Sequence, residues 1–338
     1  MPLNKAVLAA FKVASRLTPD IRASYKVQRV AEDVAGSIGL RDPRVSVREA
    51  SCAAPDGYDV PLRVFTPRDF DFSLADGLTV TPDFRGTVLF FHGGGWANGD
   101  IDFYQDACTR MALQLGRRVV AVDYRRAPEH PFPGPAEDCY AVARALFSGD
   151  LLPDVRPDRV VLFGDSAGGN LAAVVSLMAR DRGEFAPPAQ VLLYPATWHD
   201  HTPASRFDSV RENGTDYLLL SRDVESYMRM YAPRPADRLD PYCSPLLAPD
   251  LSGQPRTLVV TAEYDPLRDE GEAFAARLAH AGNEVSCYRV LDAIHGYLLY
   301  PTVLDMVRTT YQVIRHFLDG DDLAQREGEP AWLRLMGK

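Results

Sequence analysis

The sequence predicts an alpha/beta fold in which a largely parallel sheet is covered by helices on both faces. Short aliphatic runs recur near residues 60 to 65, 87 to 91, 118 to 123, 159 to 163, 190 to 194, 257 to 261 and 284 to 290, and helix-period patterns separate most of them. Such alternation places helices in the crossovers between parallel strands and buries both faces of the sheet. Length is the third observation. At 338 residues the chain exceeds an average domain, yet alpha/beta folds commonly run past roughly 200 residues around one sheet, so a core with a cap fits better than two domains.

In chain order, residues 1–45 come first and carry Leu3, Val7, Phe11 and Ala14 at helical spacing, followed by a more polar segment. Amphipathic helices are expected there, either over a site or as ordinary surface helices. Lys5, Lys12, Arg16, Arg22, Lys26 and Arg29 make the stretch basic. That adds a membrane-surface reading, against which stands the scarcity of bulky aromatic anchors. Residues 46–198 form the first part of the core. Residues 199–235 interrupt the strand-helix scheme as a second cap segment, where Ser221 is expected to cap a helix carrying Val224, Tyr227, Met228 and Tyr231. Residues 236–320 complete the core. A helix from Arg268 to Ala281 pairs Phe274 with Leu278 and stops at Gly282. Val307, Tyr311 and Ile314 form an apolar stripe between Val303 and Phe317. The tail, 321–338, begins acidic and ends with Trp332, Leu333, Leu335 and Met336.

Chemistry concentrates where Arg159-Val160-Val161-Leu162-Phe163, a buried strand, meets Gly164-Asp165-Ser166-Ala167-Gly168-Gly169-Asn170. Leu171, Val174, Val175 and Met178 continue at helical spacing. A serine in a G-x-S-x-G turn between strand and helix stands exposed above the sheet, and the glycines remove side chains that would strike neighbouring backbone. The helix amino terminus favours developing negative charge. Upstream, the strand Thr87-Val88-Leu89-Phe90-Phe91 ends in His92-Gly93-Gly94-Gly95-Trp96. Uncovered N–H groups of such a loop can hold a tetrahedral oxyanion, each contributing roughly 3 kcal/mol to the transition state.

A serine nucleophile needs a base, and the base needs an orienting acid. Among seven histidines, His295 stands in a short loop, Asp292 to Tyr297, after a strand from Glu284 to Leu291. Asp265 follows the strand Thr257-Leu258-Val259-Val260-Thr261. Both therefore lie past strand ends, where an open alpha/beta sheet gathers its site. Asp292 is nearer to His295 in sequence, and Asp269 and Glu270 are near Asp265 but fall in the next helix. The strand-end position favours Asp265.

These residues, with Asp123-Tyr124-Arg125-Arg126-Ala127-Pro128-Glu129-His130-Pro131-Phe132-Pro133, Asp265-Pro266-Leu267-Arg268-Asp269-Glu270-Gly271 and His295-Gly296-Tyr297, resemble the bacterial hormone-sensitive-lipase family of carboxylesterases, an alpha/beta-hydrolase group. The resemblance covers roughly residues 45 to 320. It implies a mostly parallel eight-stranded sheet with a helical cap, Ser166 as nucleophile, His295 as base and Asp265 as acid. It also implies an oxyanion hole at Gly93, Gly94, Gly95 and Ala167, with N–H donors from Gly94, Gly95 and Ala167 and with Gly93 shaping the loop. His92 is implied to brace that loop. Many relatives have phenylalanine where this chain has Tyr297, a difference expected at the pocket wall. The implied reaction is hydrolysis of short to medium acyl esters through an acyl-enzyme. An amidase or deacetylase would use the same triad. A non-catalytic ligand-binding protein is the other alternative, as in the plant gibberellin receptor, which resembles the family but has lost the histidine that His295 represents here.

The net charge of −9 argues against a nucleic-acid partner, which needs a basic surface. Cys52, Cys108, Cys139, Cys243 and Cys287 are scattered and odd in number, suiting free thiols in a cytoplasmic protein. No secretory signal or bilayer-long apolar run is apparent. His199-Asp200-His201 lacks the further spaced ligands of a metal site. No metal or cofactor is expected; the partner is a small-molecule ester, and a homo-oligomer stays open.

Overall fold

The computed structural model describes residues 12, 13, 15, 19–37, 42–68, 85–320 and 333–335. Helix α1 (Ile21–Ser37) precedes a hairpin of β1 (Val45–Ala53) and β2 (Asp59–Pro67). Then come β3 (Thr87–Phe91), α2 (Gln105–Leu115), β4 (Arg118–Val122), α3 (Gly134–Ser148), β5 (Val160–Asp165), α4 (Ala167–Arg182) and β6 (Ala189–Leu193). A single turn α5 (Ser209–Glu212) and α6 (Ser221–Tyr231) follow, before β7 (Arg256–Tyr264), α7 (Arg268–His280), β8 (Val285–Ile294), α8 (Asp305–Asp319) and β9 (Leu333–Leu335).

The strands form one sheet in the order β1-β2-β4-β3-β5-β6-β7-β8-β9. From β4 to β8 all pairings are parallel, while β1, β2 and β9 pair antiparallel at the two ends. The expected eight-stranded sheet is present, and β9 adds a short ninth strand beside Tyr288–Val290.

Alternation along the central strands explains the two cores. Leu89, Phe91, Val120, Val122, Leu162 and Leu192 pack on one face with α3 and α4. Val88, Phe90, Val119, Ala121, Val161, Phe163, Val191 and Leu193 pack on the other with α2 and α8. Each of the Val, Leu and Phe side chains among them, removed from water, contributes about 1.5–3 kcal/mol.

Two elements differ from the sequence reading. Strand β1 was not among the aliphatic runs, because only Val45 and Cys52 of its nine residues are buried. Ser221 does not cap α6: it is the first helical residue, Leu220 occupies the cap position, and the Ser221 hydroxyl donates to the Val210 carbonyl at 2.6 Å. The helix begins at Ser221 itself, so its hydroxyl lies inside the first turn and ties α6 to α5 instead. Leu3, Val7, Phe11 and Ala14 lie outside the described residues. Helix α7 does end before a left-handed glycine, Gly282, whose N–H reaches the Ala279 carbonyl at 3.0 Å. Among the described residues no helix is long and apolar enough to cross a membrane.

Candidate active site

The chain reverses its order of strands between β3 and β5: after β3 it crosses to β4 on one side and then to β5 on the other. Crevices at such switch points, at the carboxyl ends of the strands, are where open sheets hold ligands. The glycine loop leaves β3 and Ser166 leaves β5, so both open onto this crevice.

Ser166 has φ 57° and ψ −121°, a conformation that a side-chain-bearing residue adopts only under constraint. The constraint is visible in its backbone. Its N–H donates to the Leu193 carbonyl at 2.9 Å, and its own carbonyl accepts from Asn170 at 3.0 Å and Ala196 at 3.3 Å. Gly164 and Gly168 make the turn sterically feasible. A Cβ on Gly164 would lie 2.0 Å from the Gly168 carbonyl oxygen, and one on Gly168 would lie 1.9 Å from that of Phe91. Asn170 ties the turn to its surroundings through Nδ2, which donates to Ala196 and Cys243 carbonyls, while its Oδ1 accepts from the Trp96 indole.

His295 reaches this turn from the end of β8. Its Nε2 is 2.8 Å from Ser166 Oγ, and its Nδ1 is 2.8 Å from Asp265 Oδ2. Asp265 is fully buried, and its other oxygen accepts the Leu267 N–H at 2.8 Å. Tyr194 meets the imidazole edge-on at 4.8 Å. The rival acids serve elsewhere: Asp269 accepts the Ser209 N–H and pairs with Arg268, Glu270 holds His201, and Asp292 bonds to Glu263 through its own N–H.

A cavity of about 250 Å³ opens over Ser166 and His295 and is lined by Gly94, Gly95 and Ala167. No acceptor among the described residues takes the N–H groups of these three residues. Gly93 differs. Its N–H donates to Asp165 Oδ1 at 2.9 Å and approaches the Tyr104 hydroxyl at 3.1 Å, so it has no donor left for an oxyanion and fixes the loop instead. Asp165 is buried and its Oδ2 accepts from Tyr104 at 3.0 Å; burial pushes its carboxyl up to about 6. His92 is likewise buried, stacks on Tyr124 at 4.2 Å between ring centres, and lies 2.8 Å from the Gly93 carbonyl through Nδ1. Burial lowers its pKa to about 4, so it stays neutral as a brace.

Tyr297 departs from the expected pocket wall. It is fully buried behind the site, with its hydroxyl 2.6 Å from Thr310 on α8, and does not line the cavity. The Tyr124–Pro133 segment fastens the floor: Arg125 pairs with Asp138, and Arg126 donates to the Gly99 carbonyl. Among the described residues no cluster of three His, Cys, Asp or Glu side chains is arranged for a metal ion. His201 is bound to Glu270 instead.

The sequence profile of the alpha/beta hydrolase fold matches residues 88–299. The chain belongs to the hormone-sensitive-lipase family of alpha/beta-hydrolases. Within it, the chain is 36% identical over 318 residues to an arylesterase of Saccharolobus solfataricus, covering 93% of this chain and 96% of that one. It is 38% identical over 262 residues to the carboxylic ester hydrolase LipN of Mycobacterium tuberculosis, a match spanning 75% of this chain and 65% of that protein. Its fold superimposes on a hyperthermophilic esterase from Pyrobaculum calidifontis with a TM-score of 0.82 at 34% identity, covering 95% of this chain and 99% of that one. This hydrolase is a carboxylesterase, and the acyl-enzyme route is general for its family.

Proposed function

We propose that Ser166, His295 and Asp265 carry the esterase reaction, and that the substrates are small esters of short to medium acyl chains. The continuous hydrogen-bonded line from Asp265 through His295 to Ser166, each step 2.8 Å, is the observation that supports this reading. His295 accepts the Ser166 proton as the hydroxyl attacks the ester carbonyl. The N–H groups of Gly94, Gly95 and Ala167 receive the oxyanion, and the protonated His295 gives its proton to the departing alcohol. Water, deprotonated by His295, then releases the acid. Asp265 keeps the imidazole in the tautomer that presents an unprotonated Nε2 to serine.

A cavity of about 250 Å³ supports short to medium chains. Residues 1–45 and 199–235 are proposed as its cap, because α1 and α6 both contribute lining residues, Glu32 from the first and Val224 and Tyr227 from the second. The core then comprises 46–198 and 236–320, with 321–338 as a tail. All five cysteines are free and buried, which supports a cytoplasmic location testable by cell fractionation. The deciding experiment is Ser166→Ala, assayed with p-nitrophenyl butyrate. Loss of about 10³-fold or more in kcat at an unchanged melting temperature is expected; turnover retained in a pure sample refutes the assignment.

A further inference from the structure

Most side chains around the cavity are apolar, among them Phe103, Leu219, Val224, Leu267 and Leu299, yet Glu32 stands in the same wall. It is brought there by α1, and α1 is fixed to the glycine loop by several bonds. Arg29 donates to the Ala97 and Ala127 carbonyls, both at 2.7 Å, and Gln28 accepts from Asn98 at 2.6 Å. Gly36 lets the helix lie directly on the loop, since a Cβ there would meet the Asp102 backbone at 2.8 Å. Glu32 Oε2 accepts the Gly99 N–H at 2.9 Å, and no donor among the described residues reaches Oε1. The other carboxylate in the wall, Asp165, has both oxygens engaged. Arg126 offsets part of the Glu32 charge, but it also lies 3.6 Å from Asp100, and Asp100 and Asp33 both act on Glu32 as like charges. The wall at Glu32 is therefore negative.

We propose that Glu32 is a specificity-determining residue that makes this esterase favour esters carrying a positive charge or a hydrogen-bond donor and reject esters carrying a carboxylate. The inference rests on Ser166, His295 and Asp265 being the reacting centre. A substrate carboxylate entering the cavity loses water and meets a fixed like charge in surroundings that screen poorly. An ammonium or hydroxyl meets the unengaged Oε1 instead. Steric fit alone, in an apolar wall, would leave charged and neutral isosteres separated only by their own desolvation.

The test compares kcat/KM for two isosteric pairs on the full chain, at about pH 8, roughly four units above the ordinary carboxyl range, so that Glu32 is ionised although burial raises it. One pair is monomethyl succinate and methyl 4-methylpentanoate; the other is the methyl ester of 4-(trimethylammonio)butanoate and methyl 5,5-dimethylhexanoate. In the wild type the anionic ester is expected to fall at least about tenfold below its neutral isostere, and parity overturns the proposal. Glu32→Gln keeps an acceptor for Gly99 and removes the charge. It is expected to raise the anionic-to-neutral ratio about tenfold, equivalent to about 1.4 kcal/mol, and to lower the cationic-to-neutral ratio. Glu32→Asp is expected to restore the wild-type order. Ratios equal in wild type and Glu32→Gln overturn the inference. Neutral-ester turnover surviving in Ser166→Ala overturns the reacting centre instead.

Discussion

Asp165 stands next to Ser166, the proposed nucleophile, without touching the proposed proton relay, and its two oxygens hold Gly93 and Tyr104. We propose that it acts as a positioning residue, because the loop it fastens carries the proposed Gly94 and Gly95 donors. Asp165→Asn keeps one acceptor for Gly93 and loses the charge, so kcat on neutral esters is expected to fall about tenfold with a smaller change in KM. Its pH signature separates this from a general packing defect. The folded value of about 6 lies above the ordinary 3.8. Between those values only the folded protein binds the proton, so the Asp165 contribution to stability grows as pH falls from about 6 to about 4. The stability of wild type minus Asp165→Asn is therefore expected to rise by about 2 kcal/mol over that interval in urea unfolding; a difference constant with pH contradicts the buried-carboxyl reading. Ser166, Asp265 and His295 were legible because each follows a strand in a recognisable motif. Tyr104 was not, because its role arises only when the start of α2 is folded against the end of β5, and Glu32 was not, because it depends on where α1 docks.

Among the elements, the contact of α4 with β3 sets the height of Ser166. A Cβ on Gly168 would meet the carbonyl oxygens of Phe91 at 1.9 Å and His92 at 2.6 Å, and neither can retreat without breaking the sheet or the glycine loop. Gly168→Ala is expected to lower stability by about 3 kcal/mol or more and to depress kcat with it, read from urea midpoints and butyrate hydrolysis. Helix α1 is held differently, by polar side chains on loop carbonyls. Arg29→Ala leaves the Ala97 and Ala127 carbonyls without that donor. Local stability of the loop is expected to drop by about 1–3 kcal/mol, visible as faster hydrogen exchange at Asn98 and Gly99. Central strands and α4, α7 and α8 could be read from the sequence since burial imposes a clear period on them. The role of the Ser221 hydroxyl could not, because the helix starts one residue earlier than a Ser221 cap requires and its partner, the Val210 carbonyl, lies on a separate turn.

Across the whole molecule, segments far apart in sequence converge on one crevice, and the stretch between β6 and β7 must be anchored for α6 to reach it. That anchor is the fully buried pair of His201 Nε2 and Glu270 Oε2 at 2.7 Å, with Glu270 Oε1 accepting the N–H groups of Thr197 at 2.6 Å and Trp198 at 3.1 Å. From sequence, His199-Asp200-His201 invited a metal reading and Glu270 a rival-acid reading; three-dimensional folding joins the two motifs into one structural bond. Despite the burial that opposes charge, the Glu270 carboxylate raises the His201 pKa above 6.5. A raised folded value means that the pair stabilises fully below the unfolded value of about 6.5, and that this contribution is lost as pH climbs through the folded value. His201→Gln preserves a donor to Glu270 but cannot titrate. The deficit of His201→Gln against wild type is thus expected to be largest near about pH 6 and to shrink toward about pH 9, measured from urea midpoints at each pH. A deficit independent of pH would mean that His201 serves only by shape and hydrogen bonding, since a neutral imidazole at both ends of the range has no charge to lose.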